Sequence, residues 1–439
     1  MSSGIKFPVF GDALVAPIGF SRWIGFVGGL ILPVIAALLF RTYDLDVTPA
    51  ALESARHLGL VYLAGEIAVI IIARRRGLNV REILSALPAW AKIALAIFLA
   101  TFWISSAFVS QMMAFSLGLS LGWIVHLLFA ASLYHLARSA PPVDARQLAV
   151  GFVAGLVALA VFIALHFAAV PAALFGPYEA VDLGSAIPGF ISSRLFGAWC
   201  GAVLALLTGI AWQHRGTNGR HALYLMLALA FGLAFWTATR AAMLGWAIGI
   251  PVAWLLAGKP ASSALYTRLP AYLIAAIVLA LLLPPHNHSQ FTFFRWDGMP
   301  STDAMMSGRL TIWASALRVA AEYPLLGSGA GSNWWLVPLD GFYHVQPHNA
   351  VVQFLLNWGL IPTIPALALL GGAVWHAHRI ARRQRQILPM ILMLDCLLAM
   401  SLLDGMLHFA QFIMLIFGCL ALCLATEKLD AADISLSRG

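Results

Sequence analysis

Two arginines of this chain lie at the ends of apolar stretches, where a guanidinium is costly unless a negative group pairs with it. Arg240 follows the polar patch Thr237-Ala-Thr239 between two apolar runs, with no acidic residue near it in the sequence. Arg194 holds a similar position after Phe190-Ile-Ser-Ser. Because a planar guanidinium donates two parallel hydrogen bonds to phosphate, a phosphate-bearing ligand is the expected partner. The alternative is an arginine that extends from a helix end to the lipid headgroups.

A third arginine begins a segment that has the spacing of an amphipathic helix. Arg309 follows Gly308, with Ser307 as the predicted N-cap, and Pro324 is placed to end the helix. One face of this helix would carry Leu310, Trp313, Ala314 and Leu317. We expect a helix of this kind to lie on a membrane surface. The N–H groups of its first turn and the Arg309 side chain could hold an anion, and a solvated arginine is the alternative.

His348 is the candidate general base. Pro347 is well placed to start a helix, which puts His348 in the predicted first turn. The dipole of that helix and nearby arginines disfavour imidazolium, so we expect an uncharged ring that can accept a proton, as a base must. A hydrogen-bonded anchor at the membrane interface is the alternative. Asp404 and His408 flank a later turn and are further candidates for the same cavity.

Metal and nucleotide sites are disfavoured by the same segment. Four histidines between residues 286 and 348 suggest a metal site, namely His286, His288, His344 and His348. Pro347 argues against a continuous helix that presents two of them together, and no HExxH-like carboxylate accompanies them. Glycines 327, 329 and 331 could form a backbone anion nest or a plain turn, but they lack the Lys-Ser/Thr ending of a Walker loop. The sequence therefore predicts no metal and no cofactor.

The composition is that of a membrane protein. Of the 439 residues, 61% are apolar and only 10% are charged, whereas soluble domains carry about 25% charged residues. Many uninterrupted apolar stretches are long enough to cross a hydrocarbon core of roughly 30 Å. A soluble globular protein and a disordered chain are both excluded. The fold class that follows is all-α, a polytopic integral membrane protein.

The apolar stretches predict about twelve transmembrane helices. Their approximate cores are residues 23–40, 57–73, 89–108, 117–137, 148–170, 196–213, 222–238, 241–258, 269–285, 350–376, 387–403 and 409–425. Spans 1–9 then occupy residues 1–285, a large outside loop with the amphipathic helix occupies 286–349, and spans 10–12 with a tail occupy 350–439. The four cysteines all fall inside apolar stretches and are expected to be packing residues.

The basic residues predict the orientation of the chain. In a soluble protein a net charge of +8 would suggest nucleic acid, but in a membrane protein Lys and Arg collect in cytoplasmic loops. Most of the 26 Lys and Arg fall on the same side of the predicted spans as the two termini. We therefore expect both termini in the cytoplasm, the 286–349 loop outside, membrane lipid as a partner and no nucleic acid.

The chain carries three motifs, Gly308-Arg309-Leu-Thr-Ile-Trp313, Pro324-Leu-Leu-Gly327-Ser-Gly329-Ala-Gly331 and Pro347-His348-Asn349-x-x-x-Gln353, with Gly359 beyond the third. Together they resemble the O-antigen ligase and O-antigen polymerase superfamily of bacterial membrane glycosyltransferases. Thr237-Ala-Thr239-Arg240 is similar to the Thr-x-Ser-Arg element of that superfamily, with Thr in place of Ser. The resemblance covers residues 237 to 359.

The resemblance implies an inverting, metal-independent transfer of a glycan from undecaprenyl diphosphate to an acceptor hydroxyl. It places the reaction at the periplasmic face of the bacterial inner membrane. The leading acceptor is lipid A-core, as in lipopolysaccharide O-antigen ligases. The alternatives are another lipid-linked repeat, as in O-antigen or exopolysaccharide polymerases, and a protein hydroxyl, as in O-oligosaccharyltransferases.

The resemblance also implies roles for particular residues. Arg240 and His348 are the predicted catalytic residues, and Arg240, Arg194 and Arg309 are predicted to bind the diphosphate. The candidates for supporting roles are Asn349, Gln353 and Trp313. The alternative from another class is a transporter of lipid-linked sugar, in which the buried acids Glu66 and Asp395 would relay protons. A transporter predicts broken helices in matched halves, and the sequence shows no such symmetry.

Overall fold

The computed structural model of the chain describes residues 19–40, 49–168, 187–190, 192–282, 308–337 and 345–427. These residues form helices joined by short turns, and the described ranges contain no strand. The predicted all-α class is therefore confirmed for this part of the chain.

Eleven helices of the described residues precede the long predicted loop. They are α1 Phe20–Leu39 with a π-helical turn at Val27–Ile31, α2 Pro49–Arg75, α3 Val80–Ala86, α4 Ala89–Val109, α5 Met113–Ser139, α6 Ala145–Ala168, α7 Ser193–Gln213, α8 Arg220–Trp236, α9 Arg240–Ala257, α10 Ala264–Thr267 and α11 Leu269–Leu282. Many of their exposed side chains are large and apolar, as expected of helices that face lipid.

Six described helices follow. They are α12 Arg309–Glu322, α13 Asn333–Leu336, α14 Ala350–Trp358, α15 Leu360–Arg383, α16 Leu388–Asp404 and α17 Ala410–Ala425. The amphipathic helix predicted from Arg309 onward is observed as α12. Its N-cap in the structure is Gly308, with φ of 73°, and the predicted cap Ser307 lies outside the described residues.

Nine helices among the described residues are long and apolar enough to cross a membrane. Two shorter apolar helices, α8 and α17, accompany them. Each of the twelve predicted cores overlaps a helix of the structure. The chain is thus an integral membrane protein with several spans, whereas the count of twelve, the domain boundaries and the orientation stay predictions.

The predicted tenth span is wrong as a single helix. Residues 350–376 belong to two helices, α14 and α15, which are separated at Gly359. Gly359 has φ of 71° and ψ of −170°, and a Cβ at this position would collide with the backbone of Leu325 and Gly327. The short α14 is buried, and Trp358 at its end packs against Phe98 of α4 at a ring-centroid distance of 5.4 Å.

The core of the bundle is built around α7 and α16. Every residue of α7 from Leu195 to Trp212 is buried, and α7 packs against α8, α9 and α16. The first residues of α7 and α9 lie at the same end of the bundle as the last residue of α16. Thr239 Oγ1 lies 3.4 Å from the carbonyl oxygen of Arg194, and the charge of Arg194 acts on Asp404. Side chains from distant parts of the sequence can therefore meet at that end.

The acids inside the spans each contact a histidine of a neighbouring helix. Glu66 of α2 lies 2.7 Å from His126 Nδ1 of α5, and Asp395 of α16 lies 3.1 Å from His378 Nε2 of α15. A buried carboxylate in contact with a histidine is accounted for by local pairing. These two acids therefore give no specific support to the transporter alternative.

Candidate functional site

Five segments of the chain meet at one end of the helix bundle. They are the first turns of α7, α9 and α12, the turn before α14, and the turn between α16 and α17. Their side chains include the three arginines Arg194, Arg240 and Arg309, the histidine His348 and the carboxylate Asp404, and they interact electrostatically. The structure thus brings together the three arginines and the histidine that were singled out in the sequence.

A tight turn between α8 and α9 places Arg240 beside Arg194. The side-chain oxygens of Thr237 and Thr239 are 2.8 Å apart, and Thr239 Oγ1 lies 3.4 Å from the carbonyl oxygen of Arg194. Both hydroxyls pack onto Gly197 of α7, where a Cβ would collide with them. Thr239 holds the position of serine in the Thr-x-Ser-Arg element, and threonine can replace serine there because both side chains supply a hydroxyl.

The same turn carries backbone strain. Ala238 has φ of 54°, a left-handed conformation that L side chains rarely adopt and that costs of order 1–3 kcal/mol. The N–H of Arg240 donates to the carbonyl of Ala238 at 3.0 Å. Strain of this kind persists where the surrounding packing fixes the chain, and here that packing fixes the start of α9 and its arginine.

The arginine cluster is electrostatically suited to an anion. The charges of Arg194 and Arg309 both act on Arg240, and like charges at short range raise the energy of the site. Arg194 is exposed and Arg240 is half-buried, so the cluster can be reached by a ligand. A diphosphate lowers this repulsion, and its oxygens match the planar donors of arginine.

His348 does not occupy the first turn of a helix, and the predicted position is wrong. The Asn349 side chain accepts hydrogen bonds from the N–H groups of Val351 and Val352 at 2.9 and 3.1 Å, so Asn349 is the N-cap and α14 begins at Ala350. His348 precedes this cap with φ of 56°. The predicted effect of the α14 dipole on the ring therefore loses its geometric basis.

A carboxylate contacts the histidine instead. His348 Nδ1 lies 3.1 Å from Asp404 Oδ1, and Arg309 Nη2 lies 3.2 Å from the same oxygen. Because a carboxylate only accepts hydrogen bonds, a hydrogen bond from His348 to Asp404 places the proton on Nδ1. The lone pair is then on Nε2, which is the atom that can take a proton. The side chain of Asp404 is 5% exposed, so the carboxylate is held in place by burial.

Gln346 supports the strained turn at His348. Its Oε1 atom accepts the backbone N–H of His348 at 2.6 Å, and its Nε2 atom lies 2.9 Å from His348 Nδ1. Nδ1 can donate to Asp404 or accept from Gln346, and the bond to an ionised carboxylate is the stronger. Gln346 packs against Gly405, where φ is 62° and a Cβ would collide with the amide.

Trp313 and Asn349 tie the histidine turn to its neighbours. Trp313 Nε1 of α12 donates to the carbonyl of Pro347 at 2.8 Å. Asn349 Nδ2 donates to the carbonyl of Leu402 in α16 at 3.0 Å. The turn is thus fixed between the helix that carries Arg309 and the helix that ends with Asp404.

The third supporting candidate contacts a second histidine. Gln353 Nε2 lies 3.4 Å from His408 Nδ1. Burial, together with a smaller effect of the neighbouring His348, lowers the pKa of His408 to about 4. At neutral pH the ring is uncharged, and its Nδ1 accepts a hydrogen bond from the Gln353 amide.

The glycine-rich segment packs against helices and is not an open anion nest. Residues 327–333 are buried. Gly329 has φ of 94°, and a Cβ there would collide with the side chain of Ser110, which hydrogen-bonds Ser116 at 2.6 Å. The N–H of Gly329 donates to the carbonyl of Asn357 at 2.8 Å. These glycines allow the segment to fit closely against α5 and the end of α14.

The structure describes one of the histidines that suggested a metal site in the sequence, His348. The other three, His286, His288 and His344, lie outside the described residues. Within the ranges that the structure describes, no three His, Cys, Asp or Glu side chains lie together as a metal-binding group.

Sequence reasoning did not find Gln346 and left the partner of Asp404 open. Gln346 lies two residues before His348, a spacing that allows a side-chain hydrogen bond to the backbone of the following turn. Asp404 ends an apolar span next to a glycine, and an acid at such a position calls for a partner in space. That partner lies 56 residues away along the chain and is visible only in the fold.

The helices and this site define a polytopic α-helical membrane protein with a cationic cluster and a histidine–carboxylate contact at one end of its bundle. Residues 225–367 match the family model described as O-antigen ligase. This match covers about a third of the chain and confirms the resemblance to the O-antigen ligase superfamily seen in the motifs. The matched residues include Arg240, Arg309 and His348, whereas Arg194 and Asp404 lie outside them. A comparison with curated proteins found no significant match.

Proposed function

We propose that the protein is an inverting glycosyltransferase that moves a glycan from undecaprenyl diphosphate to an acceptor hydroxyl. The observation that carries this proposal is the contact of Arg309 and His348 with one oxygen of Asp404, within electrostatic range of Arg194. It combines an anion-binding cluster with a group that can accept a proton. These are the two functions that the reaction requires.

The arginines would bind the donor. A lipid diphosphate anchors the glycan in the membrane and is also its leaving group. Negative charge on the diphosphate grows as the sugar–phosphate bond breaks, and fixed guanidiniums stabilise that growth more than they stabilise the resting donor. Arg240 would hold the diphosphate together with Arg194 and Arg309.

His348 would act as the base. The acceptor oxygen attacks the anomeric carbon from the face opposite the diphosphate, and a new glycosidic bond forms with inversion. The bond between the anomeric carbon and the phosphate oxygen breaks, and its electron pair stays on the diphosphate. The hydroxyl proton passes to Nε2 of His348, and Asp404 stabilises the imidazolium through Nδ1. Arg240 and His348 are thus the proposed catalytic residues.

The remaining assignments complete the proposal. Lipid A-core is the first acceptor to test, and the alternatives are another lipid-linked repeat and a protein hydroxyl. The reaction would take place at the periplasmic face of the bacterial inner membrane, with both termini in the cytoplasm and without metal or cofactor. Trp313, Asn349 and Gln353 would act as positioning residues, because their contacts fix the turns that carry His348 and His408.

The test uses the purified protein with an undecaprenyl-diphosphate glycan and each acceptor in a separate reaction. Product on lipid A-core is expected for a ligase, and a longer glycan on the carrier would identify a polymerase. Full turnover is expected in the presence of a chelator. The absence of transfer to all three acceptor classes, with a donor that the protein binds, would contradict the proposal.

A further inference from the structure

Helix α12 has two apolar faces, of which one is buried against other described residues and the other is exposed. The inner face consists of Ile312, Ala316 and Ala320, which are buried. Ala316 and Ala320 form a small separate core with residues of α14 and of the turn after α13, namely Val352, Leu356 and Val337. This core accounts for the attachment of α12 to the bundle and leaves the other face to be explained.

The second apolar face is exposed, and we call it the outer stripe. It consists of Leu310, Ala314, Leu317 and Ala321, whose spacing of four, three and four residues places them along one side of a helix. Leu310 is 39% exposed and Leu317 is 44% exposed. A polar side with Arg318 and Glu322 is adjacent to the stripe and is also exposed.

The end of α12 is attached to the start of a membrane span. The carbonyl of Pro324 accepts the N–H of Leu360 at 2.8 Å, and the carbonyl of Leu325 accepts the N–H of Ile361 at 3.0 Å. Leu325 is 57% exposed, and so are Leu360 and Ile361 of α15 at 44% and 40%. Exposed Leu325 therefore lies in the segment that connects the outer stripe to the exposed apolar residues at the start of α15.

We propose that the outer stripe is immersed in the headgroup region of the lipid bilayer and docks α12 on the membrane. Each Å² of apolar area that stays in water costs about 25 cal/mol of free energy relative to burial. A helix with one apolar side in the lipid and a charged side in water avoids this cost. The connection of the stripe to the exposed apolar residues at the start of α15 is the reason to assign the stripe to lipid.

This docking has a consequence for the site, which rests on the proposed function. Arg309 is the first residue of α12, and Trp313 holds the carbonyl of Pro347 beside His348. The depth of α12 in the bilayer therefore sets the height of Arg309 and of the histidine turn above the lipid. A donor whose diphosphate lies at the membrane surface would meet Arg309 at that height.

The docking can be tested without measuring catalysis. The four native cysteines are buried, so single cysteines introduced by Leu317→Cys and Glu322→Cys can be labelled with an environment-sensitive fluorophore. The full chain is placed in phosphatidylethanolamine and phosphatidylglycerol vesicles that contain a lipid with a nitroxide near its headgroup. We expect at least about twofold quenching at position 317 and little at 322, because the two positions lie on different sides of α12.

Equal quenching at the two positions would overturn the docking proposal. Protection of position 317 from both the lipid nitroxide and aqueous iodide would also overturn it. That result would mean that protein covers the stripe, either residues 283–307 of the same chain or a second copy.

The consequence for the site has its own test. Leu317→Ser should raise KM for the lipid-linked donor about tenfold at unchanged kcat, since a polar side chain weakens insertion into lipid. Leu255→Ser, at a 69% exposed leucine near the opposite end of α9, is the matched control and should leave KM unchanged. Lipid quenching at 317 with an unchanged KM in Leu317→Ser would refute the link to the site and leave the docking standing. An inactive wild-type protein would count against the proposed function alone.

Discussion

At the scale of single residues, the site depends on one carboxylate oxygen that two groups share. Asp404 Oδ1 lies 3.1 Å from His348 Nδ1 and 3.2 Å from Arg309 Nη2. One buried acid thus orients the proposed base and one of the proposed diphosphate ligands. A change at Asp404 should disturb both functions without removing either group.

Asp404→Asn is expected to lower kcat for glycan transfer by about 10²- to 10⁴-fold, the range of general acid–base effects. The amide has the shape of the carboxylate but cannot stabilise an imidazolium, and it can donate to Nδ1 and favour the wrong tautomer. Initial rates at saturating donor and acceptor measure the effect. Glu322→Gln, on the exposed side of α12, is the control and should keep the wild-type rate; a wild-type rate in Asp404→Asn would remove the carboxylate from the mechanism.

Arg240→Lys is expected to lose about 10²- to 10³-fold in kcat/KM, the usual cost of one donor to a developing anion. Lysine keeps the charge but not the planar fork, so the rescue should be incomplete. Arg318→Lys on α12 carries the same chemical change on an exposed surface and should have wild-type kinetics. If the kcat/KM of Arg240→Lys equalled that of Arg318→Lys, a bidentate contact of Arg240 with the diphosphate would be excluded.

The histidine at position 408 predicts a dependence of stability on pH. Its pKa is about 4 in the folded protein and about 6.5 in an unfolded chain. Between these pH values the unfolded state binds more protons than the folded state, so the free energy of unfolding rises with pH. The contribution of His408 to stability is therefore lost as pH falls from about 6.5 to about 4. The slope from this one group is at most about 1.4 kcal/mol per pH unit.

His408→Asn should flatten that part of the profile. Thermal unfolding of the detergent-solubilised protein between pH 7 and pH 5 measures the difference, with His221→Asn at the far end of α8 as the control. Parallel pH profiles for wild type and His408→Asn would show that the imidazole is not kept uncharged by the fold.

The residue types of the site could be read from the sequence, and their conformations could not. Arginines at the ends of apolar runs are anomalous on energetic grounds, which is why Arg194 and Arg240 stood out. The left-handed φ of His348 depends on contacts with Gln346 and Asp404, and the latter is far away in sequence. No local pattern records such a contact.

At the scale of elements, helix ends and close backbone contacts determine the site. The apolar run 350–376 predicted one span because hydropathy reports burial and not backbone direction. The break at Gly359 and the Asn349 cap divide that run and place His348 outside the helix. By contrast, the period of α12 was sufficient to predict its existence, and the predicted cap Ser307 precedes the observed cap Gly308 by one residue.

The glycine-rich segment gives a prediction at this scale. Gly329→Ala is expected to lower the free energy of unfolding by about 1–3 kcal/mol, since it places a side chain at a positive φ and against Ser110. Gly122→Ala in α5 has no atom within 4 Å of the added Cβ and should be neutral or slightly stabilising. Denaturation midpoints of the two variants give the comparison. Equal midpoints would mean that the glycine-rich segment accommodates the added methyl group without a loss of stability.

At the scale of the whole molecule, the account depends on orientation in the membrane. The distribution of Lys and Arg predicts that the site end of the bundle faces the periplasm. Position 322 on α12 and position 75 at the end of α2 are both exposed and lie at opposite ends of the predicted topology. The buried native cysteines make labelling of introduced cysteines specific.

A membrane-impermeant maleimide should label Glu322→Cys in intact cells with a permeable outer membrane, and should label Arg75→Cys only after lysis. Arg382→Cys, predicted on the same side as position 75, repeats the inside measurement at a second site. Labelling of Arg75→Cys in intact cells would reverse the topology and place the site in the cytoplasm.

The central claim is that the arginine cluster binds a lipid diphosphate while His348 removes the acceptor proton. The most direct measurement compares donor binding with a single round of transfer in purified His348→Ala and Arg240→Ala. We predict that His348→Ala binds the undecaprenyl-diphosphate glycan with wild-type affinity but transfers it about 10²- to 10⁴-fold more slowly, and that Arg240→Ala loses affinity for the donor. Wild-type transfer by His348→Ala, or undiminished donor binding by Arg240→Ala, would contradict the account.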